Sequence, residues 1–180
     1  MKKLLLLTTF AFSMLITNQV NAQKFSDLDI SPMDAATFPS NYKVSDKLIK
    51  VIYSRPQLKG RDLAKLTPNG EVWRTGANEA TEITFYKDVM LGDTKIKAGT
   101  YSMFTVPGEK EWTILFSTDI NVWGAYTYNE AHTFAKITVP VTQSKDILEA
   151  FSIAFEGTKT GADMYLGWST LRVKVPFIFF

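Results

Sequence analysis

Apolar and polar residues alternate in short runs over most of the chain beyond residue 47, and this period of two constrains the fold more than any other feature. Ile49, Val51 and Tyr53 form the first run. Successive side chains of a β-strand point to opposite faces of its sheet, so each run predicts a strand with one buried face. Further runs are Ile83 and Phe85; Trp112, Ile114 and Phe116; Ile137, Val139 and Val141; Phe151, Ile153 and Phe155; and Leu171, Val173 and Val175. Turn-forming residues separate the runs, which predicts an all-β or mostly β domain: an antiparallel β-sandwich or a small Greek-key barrel.

The clearest local element is a hairpin around Pro107-Gly108. Thr100 to Val106 leads into this turn, and the run from Trp112 to Phe116 returns from it. Proline and glycine favour tight turns, so the two segments are predicted to pair as neighbouring strands. Between Gln143 and Ala150 the sequence predicts an interruption of the strands by one or two helical turns.

The first 22 residues have the order of an export signal. Lys2 and Lys3 precede an apolar stretch from Leu4 to Ile16, and a polar segment ends in Val20-Asn21-Ala22. The apolar stretch is shorter than the roughly 20 residues of a transmembrane helix, and small residues before a cleavage site are typical of a signal peptide. We therefore expect cleavage after Ala22, an exported protein that is periplasmic or secreted, and no transmembrane segment in the mature chain.

The predicted organisation has three parts. Residues 1–22 are the signal peptide, residues 23–44 are a polar leader or edge-covering segment, and residues 45–180 form the single β domain. The leader shows no sustained period, whereas alternating runs recur over most of the domain. The mature chain is long enough to bury one hydrophobic core without disulfide bonds or metals.

Charge and cysteine content narrow the range of partners. The chain has 20 Lys and Arg residues against 18 Asp and Glu residues, and loss of Lys2 and Lys3 with the signal peptide leaves no net charge. A neutral domain has no general electrostatic attraction for nucleic acid, so no nucleic-acid partner is expected. The absence of cysteine excludes disulfide bonds and a lipid-modified cysteine at the cleavage site.

The segment from Val72 to Thr81, VWRTGANEAT, is the most unusual stretch of the sequence. Thr75-Gly76-Ala77-Asn78 has the composition of a turn, because glycine and asparagine tolerate positive φ. If these four residues close a hairpin, Arg74 and Glu79 lie opposite each other and are expected to form a cross-strand ion pair. That pair would fix the turn; the alternative is that both side chains belong to a binding or catalytic site.

A ligand site is predicted around this turn, because the segment SRPQLKGR adds further cations. Arginines near aromatic rings form a planar receptor for a carboxylate, a sulfate or sugar hydroxyls. The alternative is that these cations only solvate a loop. The candidate ligand-binding residues are Arg55, Arg61, Trp73, Arg74, Asn78 and Glu79.

The aromatic segment Trp123-Gly124-Ala125-Tyr126 is a second candidate. Aromatic side chains on a loop of an exported β domain can stack on sugar rings. The alternative, which we favour because large aromatic side chains dominate protein cores, is that Trp123 and Tyr126 fold back and cap one end of the sandwich.

The chain lacks residues that serine hydrolases and zinc enzymes need, and its candidate pair for glycoside hydrolysis is poorly placed. His132 is the single histidine and no G-x-S-x-G motif is present, which argues against a serine hydrolase. One histidine and no cysteine argue against zinc, and no metal or cofactor is expected. Glycoside hydrolysis needs only two carboxylates, but Glu79 and Glu82 are three positions apart and would face opposite sides of a continuous strand.

Six ordered motifs carry a resemblance to a known family. They are VIYSRPQLKGR, VWRTGANEAT, AGTYSMFTVPG, EWTILF, WGAYTY and WSTLRVKVP, and they extend over roughly residues 45–176. In this order they resemble the uncharacterised exported bacterial family called Domain of Unknown Function 2911. The resemblance implies a small exported β protein, and it brings no catalytic residues because the family has no established activity.

Three functions are compatible with these residues, and an enzyme is the less favoured class. The leading hypothesis is a non-enzymatic cell-envelope binding domain for a small polar or anionic ligand or a glycan. The first alternative is a hydrolase of envelope or extracellular polymers in which Glu79 acts as acid or base. The second alternative is a structural or protein-partner module.

Overall fold

The computed structural model describes residues 23–180, so the signal peptide predicted over residues 1–22 lies outside the described residues. This part of the chain contains nine strands. They are β1 (Met33–Phe38), β2 (Ile49–Ser54), β3 (Thr81–Phe85), β4 (Val89–Leu91), β5 (Thr94–Ile96), β6 (Gly99–Val106), β7 (Glu111–Ser117), β8 (Thr133–Gly157) and β9 (Gly161–Phe179). A short helix, α1 (Leu63–Leu66), follows β2, and a 3-10 turn at Glu130–His132 precedes β8. No helix within residues 23–180 has the length and apolar character needed to cross a membrane.

The nine strands form one antiparallel sheet in the order β1-β2-β3-β6-β7-β8-β9-β4-β5, which confirms the all-β prediction. The long strand β8 connects the two halves of this sheet. Its first part, Thr133 to Pro140, pairs with β7, and its second part, Val141 to Gly157, pairs with β9. Because β8 passes from one half to the other, the sheet folds over on itself into two facing layers.

The two layers meet in an aromatic core. The ring of Phe85 in β3 lies 5.2 Å from that of Phe177 in β9, and the ring of Phe116 in β7 lies 6.2 Å from Phe177. Tyr53 in β2 reaches across to β8, where its hydroxyl accepts a hydrogen bond from the backbone N–H of Ile153 at 3.0 Å. Burial raises the pKa of the Tyr53 hydroxyl, which keeps the group neutral in the core.

The hairpin predicted around Pro107-Gly108 is confirmed. β6 and β7 pair as far as the turn, where Val106 lies opposite Thr113. A Cβ atom at Gly108 would lie only 2.6 Å from the carbonyl oxygen of Glu111. The turn therefore requires glycine for a close approach of two backbone segments.

The helical turn predicted between Gln143 and Ala150 is wrong, because this segment belongs to β8. Its pairing with β9 is irregular, and the register shifts twice within the segment. Side chains of β9 bond the displaced carbonyl groups: Arg172 Nη2 donates to the carbonyl of Asp146 at 2.8 Å, and Trp168 Nε1 donates to that of Glu149 at 3.1 Å. These bonds satisfy a bulged strand without a helix.

Part of the polar segment 23–44 contributes to the sheet. β1 pairs with β2 along its whole length, from Met33 opposite Ser54 to Phe38 opposite Ile49. The ring of Phe38 also stacks on that of Phe179, with centres 5.9 Å apart, at the edge of the core. The sheet therefore begins before residue 45.

Candidate functional site

The segment between Trp73 and Thr81 forms a longer loop than predicted. The backbone N–H of Thr81 donates to the carbonyl of Arg74 at 3.0 Å, so the residue opposite Arg74 is Thr81. Thr75 and Asn78 adopt left-handed φ values of 57° and 61°. The conformation of the buried Thr75 is stabilised because its carbonyl accepts a hydrogen bond from Thr81 Oγ1 at 2.7 Å.

The predicted ion pair between Arg74 and Glu79 is wrong, because the longer loop removes residue 79 from its expected position. Arg74 Nη1 donates to the carbonyl of Asn78 at 3.1 Å, and the guanidinium lies over the ring of Tyr126, 5.4 Å from its centre. Residue 79 instead pairs through its backbone with Trp123. Arg74 thus stabilises its own loop through a backbone carbonyl.

The prediction that Trp123 and Tyr126 cap one end of the sandwich is also wrong. Their side chains are 59% and 78% exposed, respectively. Other residues of the same loop cover the outer face of β6 and β7 in their place. Val122, Ala125 and Tyr128 pack against a small apolar cluster that contains Phe104 and Leu115. The two exposed aromatic side chains remain accessible to a ligand.

Four of the six predicted ligand residues line one cleft of about 300 Å³, the arginine cleft. The indole of Trp73 stacks on that of Trp168, with ring centres 5.8 Å apart and planes 18° from parallel. Trp73 Nε1 donates to the carbonyl of Gly76 at 3.1 Å, which fixes the indole against the loop. The lining residues are Arg61, Trp73, Arg74 and Asn78, together with Ile30, Ser31, Pro56, Leu66, Gly76, Ala77 and Trp168.

Both arginines of this cleft retain hydrogen-bond donors. A guanidinium has five N–H groups. Arg61 uses two of them, from Nε to the carbonyl of Leu58 at 3.0 Å and from Nη2 to that of Gln57 at 2.6 Å. Arg74 also uses two, on the Asn78 carbonyl and the Tyr126 hydroxyl. Each arginine therefore has three N–H groups with no protein partner among residues 23–180, and these suit an anion or a hydroxylated ligand.

Glu79 lines a second cleft of about 210 Å³ together with Glu82, the glutamate cleft. The prediction that these carboxylates face opposite sides is wrong, because residue 79 precedes β3 and is not part of a continuous strand with Glu82. Glu82 Oε1 accepts a hydrogen bond from the backbone N–H of Asn121 at 2.7 Å. The other lining residues are Met33, Ile52, Tyr53, Ser54, Ala80 and Asn121.

A family model described as Protein of unknown function (DUF2911) matches residues 31–177. The chain belongs to the DUF2911 family. The resemblance predicted from the six motifs is thus confirmed, and the matched range covers both clefts apart from Ile30. No curated protein and no solved structure matches the chain. The DUF2911 description states no activity, so the function of either cleft has to be inferred from its own residues.

Arg55 of this DUF2911 chain lies outside both clefts and joins three strands. Its Nη1 pairs with the carboxylate of Asp34 at 2.9 Å. Its Nε donates to the carbonyl of Phe151 at 3.1 Å, and its Nη2 donates to the hydroxyl of Ser152 at 2.7 Å. All three nitrogens are engaged, so Arg55 links β1, the end of β2 and β8.

The sequence pattern did not predict one side-chain contact, between His132 and Asp119. Nδ1 of His132 lies 2.9 Å and 2.8 Å from the two carboxylate oxygens of Asp119, and both residues are solvent-accessible. The loop of this DUF2911 chain brings the two residues together, and no motif indicates the contact beforehand. Within residues 23–180, no group of three or more His, Asp or Glu side chains is arranged to hold a metal ion.

Proposed function

We propose that this protein is an exported, non-enzymatic binding domain of the cell envelope whose arginine cleft holds a small anionic ligand or a glycan. The observation that carries the proposal is the convergence of Arg61, Arg74 and Asn78 on one cleft with two stacked indoles. Guanidinium groups bind carboxylates and sulfates through paired hydrogen bonds, and indole rings pack on sugars or on apolar parts of a ligand.

The fixed orientation of the two arginines supports this proposal. Arg61 is held by two backbone carbonyls, and Arg74 by one carbonyl and the hydroxyl of Tyr126. A side chain that is already ordered loses less conformational entropy when a ligand binds. The remaining N–H groups are therefore presented without a large ordering cost.

Export is the part of the proposal that rests on residues 1–22. The full-length protein is expressed in a bacterial host, and the masses of its products are measured in the cytosolic, periplasmic and medium fractions. The expected product begins at Gln23 and occurs in the periplasm or the medium. A product that retains Met1 and stays in the cytosol or the membrane fraction contradicts export.

Ligand binding is tested by tryptophan fluorescence, because Trp73 and Trp168 line the arginine cleft. The protein used for this titration carries the substitution Trp123→Phe, which removes the exposed tryptophan as a source of background signal. Sodium sulfate, sodium acetate and maltotriose are the probes, and at least one is expected to give a saturable change. Arg61→Ala is expected to weaken its binding about tenfold or more, because a hydrogen bond to a charged group contributes about 1.5–3 kcal/mol.

Lys65→Ala is the matched control for the loss of one positive charge. Lys65 is an exposed cation in α1 and does not line the arginine cleft. Its replacement is expected to leave binding unchanged. Absence of a saturable change with all three probes, or equal binding by Arg61→Ala and wild type, contradicts the proposal and favours a structural or protein-partner module.

A hydrolase of envelope or extracellular polymers is the second candidate, because Glu79 and Glu82 line one cleft. Two carboxylates are the minimum that glycoside hydrolysis requires. We rank this function lower because Glu82 is engaged by the backbone N–H of Asn121. Release of reducing ends from peptidoglycan or polysaccharide by the wild type, with loss of release in Glu79→Gln, is the result that would establish it.

A further inference from the structure

The outer face of β2 presents a buried serine to the glutamate cleft. The side chain of Tyr53 points into the core, so strand alternation places its neighbours Ile52 and Ser54 on the opposite face, where both line the cleft. Ser54 is only 3% exposed, and its hydroxyl has no hydrogen-bond partner among residues 23–180. Ser102 Oγ is the one fully desolvated side-chain atom without a partner found within residues 23–180, so the Ser54 hydroxyl keeps access to solvent from the cleft and is available to bond a ligand there.

The polar groups around this hydroxyl are mainly acceptors. Ionised carboxylates accept hydrogen bonds and donate none. The carboxylate of Glu79 lies at an exposed position, and that of Glu82 has one oxygen bonded to the backbone N–H of Asn121. None of the residues that line the cleft is a lysine or an arginine. The cleft therefore carries negative charge that no cation among its own lining residues neutralises.

We propose that the glutamate cleft binds the ammonium head of a primary alkylamine. An ammonium group has three N–H donors, which match the two carboxylates and the hydroxyl of Ser54. The methylene stem packs on the apolar walls formed by Met33 and Ile52. The cleft of about 210 Å³ is smaller than the roughly 300–1,000 Å³ of pockets for drug-sized ligands, so it suits a short amine or a single lysine side chain.

An organic cation fits these walls better than a metal ion. Calcium takes six to eight oxygen ligands. The described part of the chain has no group of three or more His, Asp or Glu side chains arranged to hold a metal. Met33, Ile52 and Ala80 add apolar surface where a metal site would need further oxygens.

This site is independent of the proposed function. The glutamate cleft and the arginine cleft share no lining residue, and their ligands have opposite charge. Arg61→Ala is therefore a control that impairs the arginine cleft and is expected to leave amine binding unchanged. Failure of one proposal is distinguishable from failure of the other.

The test follows the backbone amide signals of residues 79–82 by NMR during titration of the protein. The probes are n-butylammonium chloride, N-acetyl-lysine methylamide as a model of a peptide side chain, and 1-butanol as the uncharged analogue. Saturable shifts with both amines would indicate that the cleft recognises an ammonium group on a small molecule or on a lysine side chain. Saturable shifts with butylammonium alone would indicate a site for small amines that excludes a peptide. Butanol is expected to bind at least tenfold more weakly than butylammonium, and added NaCl is expected to weaken the amines.

Two variants separate the contributions of charge and hydroxyl. Glu79→Gln combined with Glu82→Gln is expected to weaken butylammonium binding at least tenfold, and the side-chain amide introduced at position 82 can still accept the hydrogen bond from Asn121. Ser54→Ala, which keeps both charges, is expected to weaken it several-fold. The proposal is overturned if neither amine saturates, if CaCl₂ gives the saturable shifts instead, or if the double variant binds like the wild type.

Discussion

The guanidinium of Arg74 lies 5.4 Å from the ring centre of Tyr126 while its Nη1 donates to the carbonyl of Asn78. One side chain thereby joins the loop that precedes β3 to the aromatic loop of residues 123–126. Arg74 also lines the arginine cleft, so it contributes to a local fold and to a proposed site at once. A change in ligand binding by an Arg74 variant has to be read together with its stability.

Arg74→Ala is expected to lower the free energy of unfolding by about 1–3 kcal/mol, because it removes a charged hydrogen bond and a cation–π contact. Urea denaturation of the single variant, Tyr126→Leu and the double variant measures the coupling between the two side chains, expected at about 0.5–1 kcal/mol. Lys65→Ala is the control, with an expected change below about 0.5 kcal/mol. Wild-type stability of Arg74→Ala would show that the arginine does not stabilise the loops.

Tyr53→Phe is expected to destabilise the protein by about 1–3 kcal/mol, because the backbone N–H of Ile153 loses its acceptor in the core. Tyr86→Phe is the matched control, since Tyr86 is 51% exposed and its hydroxyl is accessible to water. Thermal or urea unfolding measures both changes. An equal effect of the two substitutions would contradict the role assigned to the contact between Tyr53 and Ile153.

Asp88 is expected to make stability depend on acid pH. The backbone N–H of Ala98, followed by Lys95 and Lys97, lowers the pKa of Asp88 from 3.8 to about 2. Because the folded pKa lies below the unfolded value, the stabilisation by Asp88 is present above about pH 4 and is lost as the pH falls to about 2. Urea unfolding at several pH values in this window should show a shallower acid dependence for Asp88→Asn than for the wild type.

Asp93→Asn is the control for that measurement, because Asp93 is exposed at the turn between β4 and β5. Its acid dependence is expected to follow that of the wild type. Parallel curves for Asp88→Asn and the wild type would mean that the contacts of Asp88 with Ala98 and the two lysines do not contribute to folding.

The buried face of each strand was predictable because burial leaves a local pattern. Ile49, Val51 and Ile83 alternate with partly or fully exposed neighbours, and each is fully buried in the core. The hairpin at Pro107-Gly108 was predictable for the same reason, since its turn residues lie between two such runs. A local pattern is sufficient where one strand follows directly on another.

The sites were less predictable because they depend on residues that are far apart in sequence. The position of Arg74 opposite Thr81 follows from the positive φ of Thr75, a conformation that β-branched residues rarely adopt. Trp168 reaches the arginine cleft from β9, and no motif places it beside Arg61. The sequence interpretation therefore brought four side chains to one cleft and misplaced Arg55 and Glu79.

The strand β8 is shared by both layers, which limits how one layer can move against the other. β8 pairs with β7 through its first part and with β9 through its second. The backbone and its interstrand hydrogen bonds therefore continue from one layer into the other. Rigid-body opening of one layer against the other would break those pairings. Ligand capture as proposed above would therefore rely on clefts that are already open to solvent, with adjustment confined to the loops around them rather than closure of two hinged lobes.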